Sequence, residues 1–217
     1  MRGEAICRSL EQVAPVACPC GSSRRILSVA DGVTVGFHVT QMRDAVAHYH
    51  QRTAQTYYVL AGSGRLTIAG SAWDVRPGSV AHIPPGCVHR GEGSFTAAIA
   101  TLPPFDPSDE FTAGEQLPRP CRGPIVRHRD EIEPVRSLCG TSRRVLTRAD
   151  GVAMGLHVVH IRRAECHYHE RTTEVYHILQ GEGTLAVGSE RFALAPAVTV
   201  YVPPGLTHAG HGDFTAI

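Results

Sequence analysis

The stretch that decides the fold reads HYHERTTE at residues 167–174 and is completed by PPGLTH at residues 203–208. Alternate side chains on an extended strand share a face, so the two histidines of HYH point one way and the tyrosine points the other. A carboxylate follows, and a third imidazole comes after a Pro-Gly turn. These donors suit a divalent transition metal better than calcium or magnesium. The candidate ligands are His167, His169, Glu174 and His208.

The same pattern occurs earlier in the chain, where residues 48–50 read HYH and residues 84–89 read PPGCVH. The two copies lie at one constant offset of 119 residues, the distance from Cys20 to Cys139 (139 − 20), and no gap is needed to align them. A match held at a fixed offset over so long a span indicates an internal duplication.

Within each copy the pattern is typical of an all-β fold. Short runs rich in β-branched and aromatic residues, such as residues 33–40 and 80–83, are separated by turn signals such as Pro77-Gly78. No long stretch has helical periodicity. Many short strands with regular turns favour a sandwich or a barrel, and inward-facing histidines favour a closed barrel.

The duplication also predicts domain boundaries. We expect barrel 1 at residues 6–101 and barrel 2 at residues 125–217. Residues 102–124, rich in proline, glycine and charge, then form a linker or an arm that wraps the partner unit. Two copies of this length do not make a solenoid, whose units are shorter and more numerous.

Composition excludes several classes of function. The 21 basic and 20 acidic residues give a net charge of +1, which provides no electrostatic footprint for nucleic acid or an anionic membrane. The chain has no lysine, which removes Schiff-base and P-loop lysine chemistry. The first ten residues lack the apolar core of a signal peptide, so we expect a cytoplasmic protein whose seven cysteines are free thiols.

The arrangement H-x-H-x4-E-x6-G followed by P-x-G-x2-H resembles the cupins, jelly-roll barrels that bind a metal inside. The matching positions in the second copy are His167, His169, Glu174, Gly181, Pro203, Gly205 and His208. The matching positions in the first copy are His48, His50, Gly62, Pro84, Gly86 and His89. The resemblance covers nearly the whole chain outside residues 102–124 and implies an all-β bicupin, with two double-stranded β-helix barrels in tandem. The departures from the family pattern touch turns and strand ends rather than ligands: Met42, Ile161, Ala197, Gly93 and Gly212.

The two predicted sites differ at the carboxylate position, which is Glu174 in barrel 2 and Gln55 in barrel 1. Three imidazoles and one carboxylate leave one or two positions open on a five- or six-coordinate metal. The neutral amide is a weaker ligand, and three interpretations of barrel 1 stay open. It binds metal through His48, His50 and His89 with Gln55 outside the coordination sphere, it binds a metal of higher Lewis acidity, or it is a degenerate site kept for packing.

Other side chains lie on or near the ligand face. Strand parity places Tyr57 and Tyr176 two residues beyond Gln55 and Glu174, where the phenols either hydrogen-bond a substrate or fill the barrel. Glu174 and Tyr176 are therefore the catalytic candidates.

Further polar residues recur in both copies. Arg52-Thr53 and Arg171-Thr172 follow HYH and either pin the loop or bind an anionic substrate. His38 and His157 support a metal ligand, act as a general base, or are ordinary core or surface histidines. Cys87 is a minor candidate for a thiol near the metal.

The expected cofactor is Fe, Mn, Ni or Zn, and the ligand set does not choose among them. The resemblance implies a metal-dependent enzyme of the dioxygenase or isomerase type that acts on a small oxygen-rich molecule at barrel 2. In the dioxygenase version, Glu174 leaves the metal to take a proton from the substrate.

The alternative is a non-catalytic cupin that binds a small molecule or uses the metal as a structural staple. We expect the partner to be a small-molecule substrate or ligand, and the barrels to pair within the chain or in a homodimer.

Overall fold

A computed structural model describes residues 3–114 and 118–217, so residues 115–117 of the predicted linker lie outside the described part. The strands, in chain order, are β1 Ile6–Ser9, β2 Val16–Cys18, β3 Gly21–Leu27, β4 Gly36–Arg43, β5 His48–His50, β6 Ala54–Ile68, β7 Ser71–Val75, β8 Ser79–Ile83, β9 His89–Leu102, β10 Glu110–Thr112, β11 Ile125–His128, β12 Val135–Ser137, β13 Gly140–Leu146, β14 Leu156–Arg163, β15 Glu174–Val187, β16 Glu190–Leu194, β17 Val198–Val202 and β18 His208–Ala216.

Helical structure in the described residues is limited to single 3₁₀ turns. These are Leu10–Gln12, Val29–Asp31, Pro107–Asp109, Arg129–Glu131 and Arg148–Asp150. None of the described helical segments has the length and hydropathy needed to span a bilayer.

The strands form two compact jelly-roll barrels. Barrel 1 is Ala14–Glu131, and barrel 2 combines the described residues up to Val13 with Ile132–Ile217. The main sheet of barrel 1 has the order β11-β8-β6-β9-β4-β3-β2, and that of barrel 2 has the corresponding order β1-β17-β15-β18-β14-β13-β12. In both barrels the longest strands, β6 with β9 and β15 with β18, are paired antiparallel. The all-β tandem-barrel fold expected from the sequence is confirmed.

The barrel boundaries differ from those expected from the repeat at two strands. Ile6, expected in barrel 1, lies in β1, which pairs with β17 of barrel 2. Ile125, expected in barrel 2, lies in β11, which pairs with β8 of barrel 1. A sequence repeat identifies equivalent segments but not the sheet that each segment joins, because an edge strand can complete either of two equivalent sheets.

The expected linker is partly structured and belongs to barrel 1. Its residues Glu110–Thr112 form β10, which pairs antiparallel with β5, the strand that carries His48 and His50. We call residues 104–113 the strap.

The two cores use equivalent residues. Barrel 1 buries Met42, Tyr57, Leu66, Ile68, Ile83 and Phe95. Barrel 2 buries Ile161, Tyr176, Leu185, Val187, Val202 and Phe214, each 119 positions later. Full burial of one such side chain contributes about 1.5–3 kcal/mol. Because large apolar side chains fill the middle of each barrel, the ligand histidines lie beside an apolar core.

The glycine of the first motif is required by the backbone. Gly62 and Gly181 have φ of 76° and 81°, in the left-handed region. A Cβ at either position would collide with a carbonyl of the neighbouring strand, at Ser94 or Asp213. Glycine therefore allows β6 and β15 to twist closely against β9 and β18.

The expectation of seven free thiols is wrong for two of them. Cys87 and Cys121 form a disulfide with a Cα–Cα distance of 4.8 Å, and the remaining five cysteines are free. The pair is separated by 34 residues in the sequence, and Cys87 lies in the turn between β8 and β9. No spacing rule in the sequence marks such a pairing.

A buried histidine in barrel 2 predicts acid sensitivity. Burial lowers the pKa of His177 to about 4, and its Nδ1 lies 2.9 Å from Thr199 Oγ1. Between about pH 6.5 and 4 the unfolded chain binds a proton here that the folded chain does not, so the free energy of unfolding falls as the pH falls. His177→Gln should therefore reduce this pH dependence by up to about 1.4 kcal/mol per pH unit. Urea denaturation of chelated protein at several pH values measures this, and identical slopes for both proteins would contradict it.

Candidate metal centres

In barrel 2 the four predicted ligands come together. His167 forms an isolated bridge with His208, which begins β18, while Glu174 begins β15. The ligand atoms of these three residues and of His169 all lie within 4.8 Å of one another. Such spacing fits groups that share one ion, because two ligands about 2 Å from a metal on opposite sides are about 4 Å apart.

Backbone carbonyls fix the tautomer of two of these imidazoles. Nδ1–H of His167 donates to the carbonyl of Glu165 at 2.8 Å. Nδ1–H of His208 donates to the carbonyl of Leu206 at 3.1 Å. Each bond spans two residues and leaves Nε2 with a free lone pair. These bonds therefore hold each ring with Nε2 directed toward the other ligand atoms, which is the orientation that binding a metal requires.

The inner atoms of the site fit a dication. His169 Nε2 lies 3.0 Å from Glu174 Oε1, and His208 Nε2 lies 2.9 Å from Glu174 Oε2. Both nitrogens are buried, and neither has a partner with hydrogen-bond geometry among the described residues. Buried polar atoms without partners cost free energy, and a shared metal ion removes that cost.

Glu174 is ionised and Tyr176 is not. Burial raises the pKa of Glu174, but the hydrogen bonds with His208 and the Tyr176 hydroxyl lower it by more, so that the net pKa is about 2. Burial and the neighbouring carboxylate raise the pKa of Tyr176, whose hydroxyl donates to Glu174 Oε2 at 2.7 Å. The carboxylate thus keeps one strong hydrogen bond from the protein and has lone pairs left for a metal.

Barrel 1 brings together the three histidines expected there. His48, His50 and His89 are each 2% exposed, and their ligand atoms also lie within 4.8 Å of one another. Nδ1 of His48 donates to the carbonyl of Val46, and Nδ1 of His89 donates to the carbonyl of Cys87, at 2.8 and 2.9 Å. Burial lowers the pKa of His89 well below its usual range, so this ring is neutral at neutral pH.

Gln55 changes the chemistry of the barrel 1 site. Its amide Nε2 lies 3.1 Å from Nε2 of His50, and Tyr57 donates to its Oε1 at 3.2 Å. Because Nδ1 of His50 already donates to a backbone carbonyl, Nε2 of His50 accepts from the amide. The amide therefore occupies the lone pair that a metal would use, whereas the carboxylate of barrel 2 leaves the equivalent nitrogen free.

Sequence reasoning missed Asp109, which organises the outer side of barrel 1. This aspartate is 2% exposed. Its carboxylate accepts from the backbone N–H of Arg52 and from both N–H and Oγ1 of Thr53, and its carbonyl accepts from Nδ1 of His50. It lies 56 residues from Thr53 in a region without a motif, so no sequence signal links them.

Sequence reasoning also missed a cysteine thiol close to each of the two histidine clusters. Cys20 Sγ lies 3.7 Å from His48 Nε2, and Cys139 Sγ lies 3.7 Å from His167 Nε2. Burial raises the pKa of Cys139, as does the charge of Glu174, so this thiol is protonated at neutral pH. The Cys-Gly pair at the same place in both copies was the available signal.

The remaining candidates from the sequence are His38, His157, Cys87 and Arg171. His38 is buried edge-on against Phe105, and burial lowers its pKa to about 4. Burial also lowers the pKa of His157. Cys87 is in the disulfide, so it is not a thiol near the metal. Arg52 and Arg171 are both exposed, whereas Thr172 is exposed and its equivalent Thr53 is buried against Asp109.

Comparisons with known proteins identify the architecture. The Cupin domain family matches residues 37–100 and 158–216. The oxalate decarboxylase of Bacillus subtilis superposes with a TM-score of 0.77 and 15% identity, over 97% of this chain and 74% of that chain. The E. coli protein Ylba gives a TM-score of 0.76 and 11% identity, over 100% and 91%. A Lactobacillus farciminis oxalate decarboxylase in a formate complex gives 0.77 and 14%, over 97% and 83%. No curated protein sequence is significantly similar to the chain.

The amide–carboxylate difference predicts unequal metal affinities. Glu174→Gln should weaken Mn²⁺ binding by at least about tenfold. Loss of a residue that only hydrogen-bonds a metal ligand already lowers metal affinity by about tenfold or more, and Glu174 is a ligand itself. Gln55→Glu should add a second binding event by freeing His50 Nε2. Isothermal titration of chelated protein with Mn²⁺ measures both, with the exposed Glu170→Gln as the matched control. Unchanged binding in Glu174→Gln would contradict the assignment.

Proposed function

Because the chain belongs to the cupin family, we propose that it is a divalent-metal-dependent enzyme of the dioxygenase or isomerase type. Its site is barrel 2, and its substrate is a small oxygen-rich molecule that chelates the metal. The observation that carries the proposal is the complete set of three imidazoles and one carboxylate in barrel 2, in contrast to the barrel 1 site, where an amide replaces the carboxylate.

Exposure supports barrel 2 as the reacting site. The side chains of His169 and Glu174 are 37% and 28% exposed, so a small molecule reaches them from solvent. The corresponding His50 of barrel 1 is buried beneath the strap. A catalytic metal site needs an open position, whereas a closed site suits a structural role.

The metal would be held by His167, His169, Glu174 and His208. A dication bound there supplies Lewis acidity and open positions for two substrate oxygens. Among the structural neighbours, the B. subtilis oxalate decarboxylase has Mn(II) centres. Manganese is therefore the first metal to test, followed by iron, nickel and zinc.

The residues around the metal have distinct roles. In a dioxygenase reaction Glu174 would leave the metal and take a proton from the substrate, and its two oxygens face His169 and His208. Tyr176 keeps its proton and orients the carboxylate through its bond to Oε2. Tyr176 is therefore a positioning residue and not a base.

Barrel 1 favours a second, structural role. Its three histidines are buried, its amide network is satisfied without an ion, and a disulfide closes the nearby turn. We infer that barrel 1 stabilises the chain while barrel 2 carries the chemistry.

A cytoplasmic location stays a prediction, and the disulfide Cys87–Cys121 favours a compartment that is not strongly reducing.

Oxygen dependence separates the two reaction types. Protein loaded with each metal is assayed against oxalate, an α-hydroxy ketone and a catechol, with dissolved oxygen and substrate loss followed together. Oxygen uptake that matches substrate loss indicates a dioxygenase, and full turnover without oxygen indicates an isomerase or another non-oxidative reaction.

The Glu174→Gln variant tests the assignment itself. It should lose turnover while keeping the melting temperature of the chelated protein, whereas Glu170→Gln keeps both. A metal-dependent melting temperature that Glu174→Gln abolishes, with no turnover in any assay of the wild-type protein, would instead support the metal as a staple.

A further inference from the structure

The ligand strand of barrel 1 has a covered edge. Strand β10 pairs with β5 so that Glu110 lies opposite His50 and Phe111 lies opposite Tyr49. The rings of Phe111 and Tyr49 are stacked with a centroid distance of 5.5 Å, and Tyr49 is fully buried. The strap thus hides the outward-facing tyrosine of the HYH motif.

Asp109 anchors the strap on the residues that follow HYH. Its carboxylate accepts from Thr53 Oγ1 at 2.7 Å and from Thr53 N–H at 2.9 Å. The backbone N–H and Nε–H of Arg52 also donate to it, at 3.1 and 3.3 Å. Its carbonyl accepts from Nδ1 of His50 at 3.2 Å. A 3₁₀ turn that ends at Asp109 and the short strand after it therefore supply a carboxylate, an aromatic ring and a carbonyl to this edge.

Barrel 2 has the same receiving residues without an occupant. The equivalents 119 positions later are Tyr168, His169, Arg171 and Thr172. Tyr168 is 55% exposed where Tyr49 is buried, and Arg171 and Thr172 are exposed as well. We call these four residues the barrel 2 edge.

The ring of His169, which belongs to the barrel 2 edge, differs from the other ligand imidazoles in the partner of its Nδ1. In five of the six ligand imidazoles, Nδ1 donates to a backbone carbonyl. Within residues 3–114 and 118–217, Nδ1 of His169 has no such acceptor. For the equivalent His50 in barrel 1, the acceptor is the Asp109 carbonyl of the strap. Metal-binding histidines usually donate this N–H to a carbonyl or carboxylate, so the barrel 2 site is incomplete on its outer side.

We propose that the barrel 2 edge docks an extended segment of another protein that carries a carboxylate two residues before an aromatic ring. The segment adds a strand to the HYH edge, as Glu110–Thr112 does in barrel 1, and its carboxylate lies on the turn that precedes the strand, as Asp109 does. Its carboxylate binds Arg171 and Thr172, its ring stacks on Tyr168, and a carbonyl accepts from Nδ1 of His169. The docked segment covers His169 as the strap covers His50, so docking closes the barrel 2 site and the undocked state is the one open to substrate. The positive charge of Arg171 complements the carboxylate.

The chain itself has no free segment of this kind among its described residues. Acid-x-aromatic sequences occur at Asp109, Glu174 and Glu190. The first is in the strap, the second is a metal ligand, and the third lies in β16, which is paired with β15. A second copy is therefore a poorer occupant than a different protein.

A peptide with the strap sequence tests the proposal. The probe is PFDPSDEFTA, residues 104–113, with a fluorescent label at its N-terminus, titrated with the full-length protein and followed by anisotropy. Saturable binding is expected, and Tyr168→Ala or Arg171→Ala should weaken it by at least about tenfold, since buried aromatic and arginine anchors dominate such contacts. The matched control is Arg191→Ala, an exposed arginine of β16, which should bind as the wild type does.

Peptide variants define the chemistry. Replacing the aspartate equivalent to Asp109 with asparagine, or the phenylalanine equivalent to Phe111 with alanine, should weaken binding as much as the protein variants do. Three outcomes would overturn the proposal: no saturation up to about 1 mM peptide, equal binding by Tyr168→Ala and wild type, or self-association that depends on Tyr168 and that the peptide does not compete with. Because Tyr168 and Arg171 are exposed, their alanine variants should fold, and circular dichroism checks this.

Discussion

Each metal centre depends on the bond that fixes the outer nitrogen of its histidines. Nδ1–H of His48, His89, His167 and His208 donates to the carbonyl two residues earlier in the chain. This local bond sets the tautomer and directs Nε2 inward, so that the ligand atoms converge without help from distant residues. The second histidine of the HYH motif is different: the outer nitrogen of His50 relies on Asp109, 59 residues away in the sequence, and that of His169 has no such acceptor among the described residues.

A change of one functional group separates the two barrels. At Gln55 the amide is a donor toward His50 Nε2, while at Glu174 the carboxylate is an acceptor facing two imidazoles. The first arrangement satisfies itself by hydrogen bonding, and the second leaves buried nitrogens that need a cation. The same barrel scaffold therefore supports a closed, internally bonded site and an open, ion-requiring site.

The sequence predicted those parts of the fold that follow from local spacing. The period of two in HYH placed its two histidines on one face, and the fixed offset predicted tandem barrels. It did not predict that β1 and β11 would each join the other barrel, because equivalent edges accept either strand. It also missed Asp109 and the disulfide of Cys87, since both depend on how the strap folds back across the barrel.

The central claim is that barrel 2 holds a metal ion and barrel 1 does not. Elemental analysis of protein purified without chelator or added metal tests it most directly. We expect about one equivalent of a divalent transition metal per chain, the ratio for a single site with three imidazoles and one carboxylate. Protein free of metal, or protein with two equivalents per chain, would contradict it.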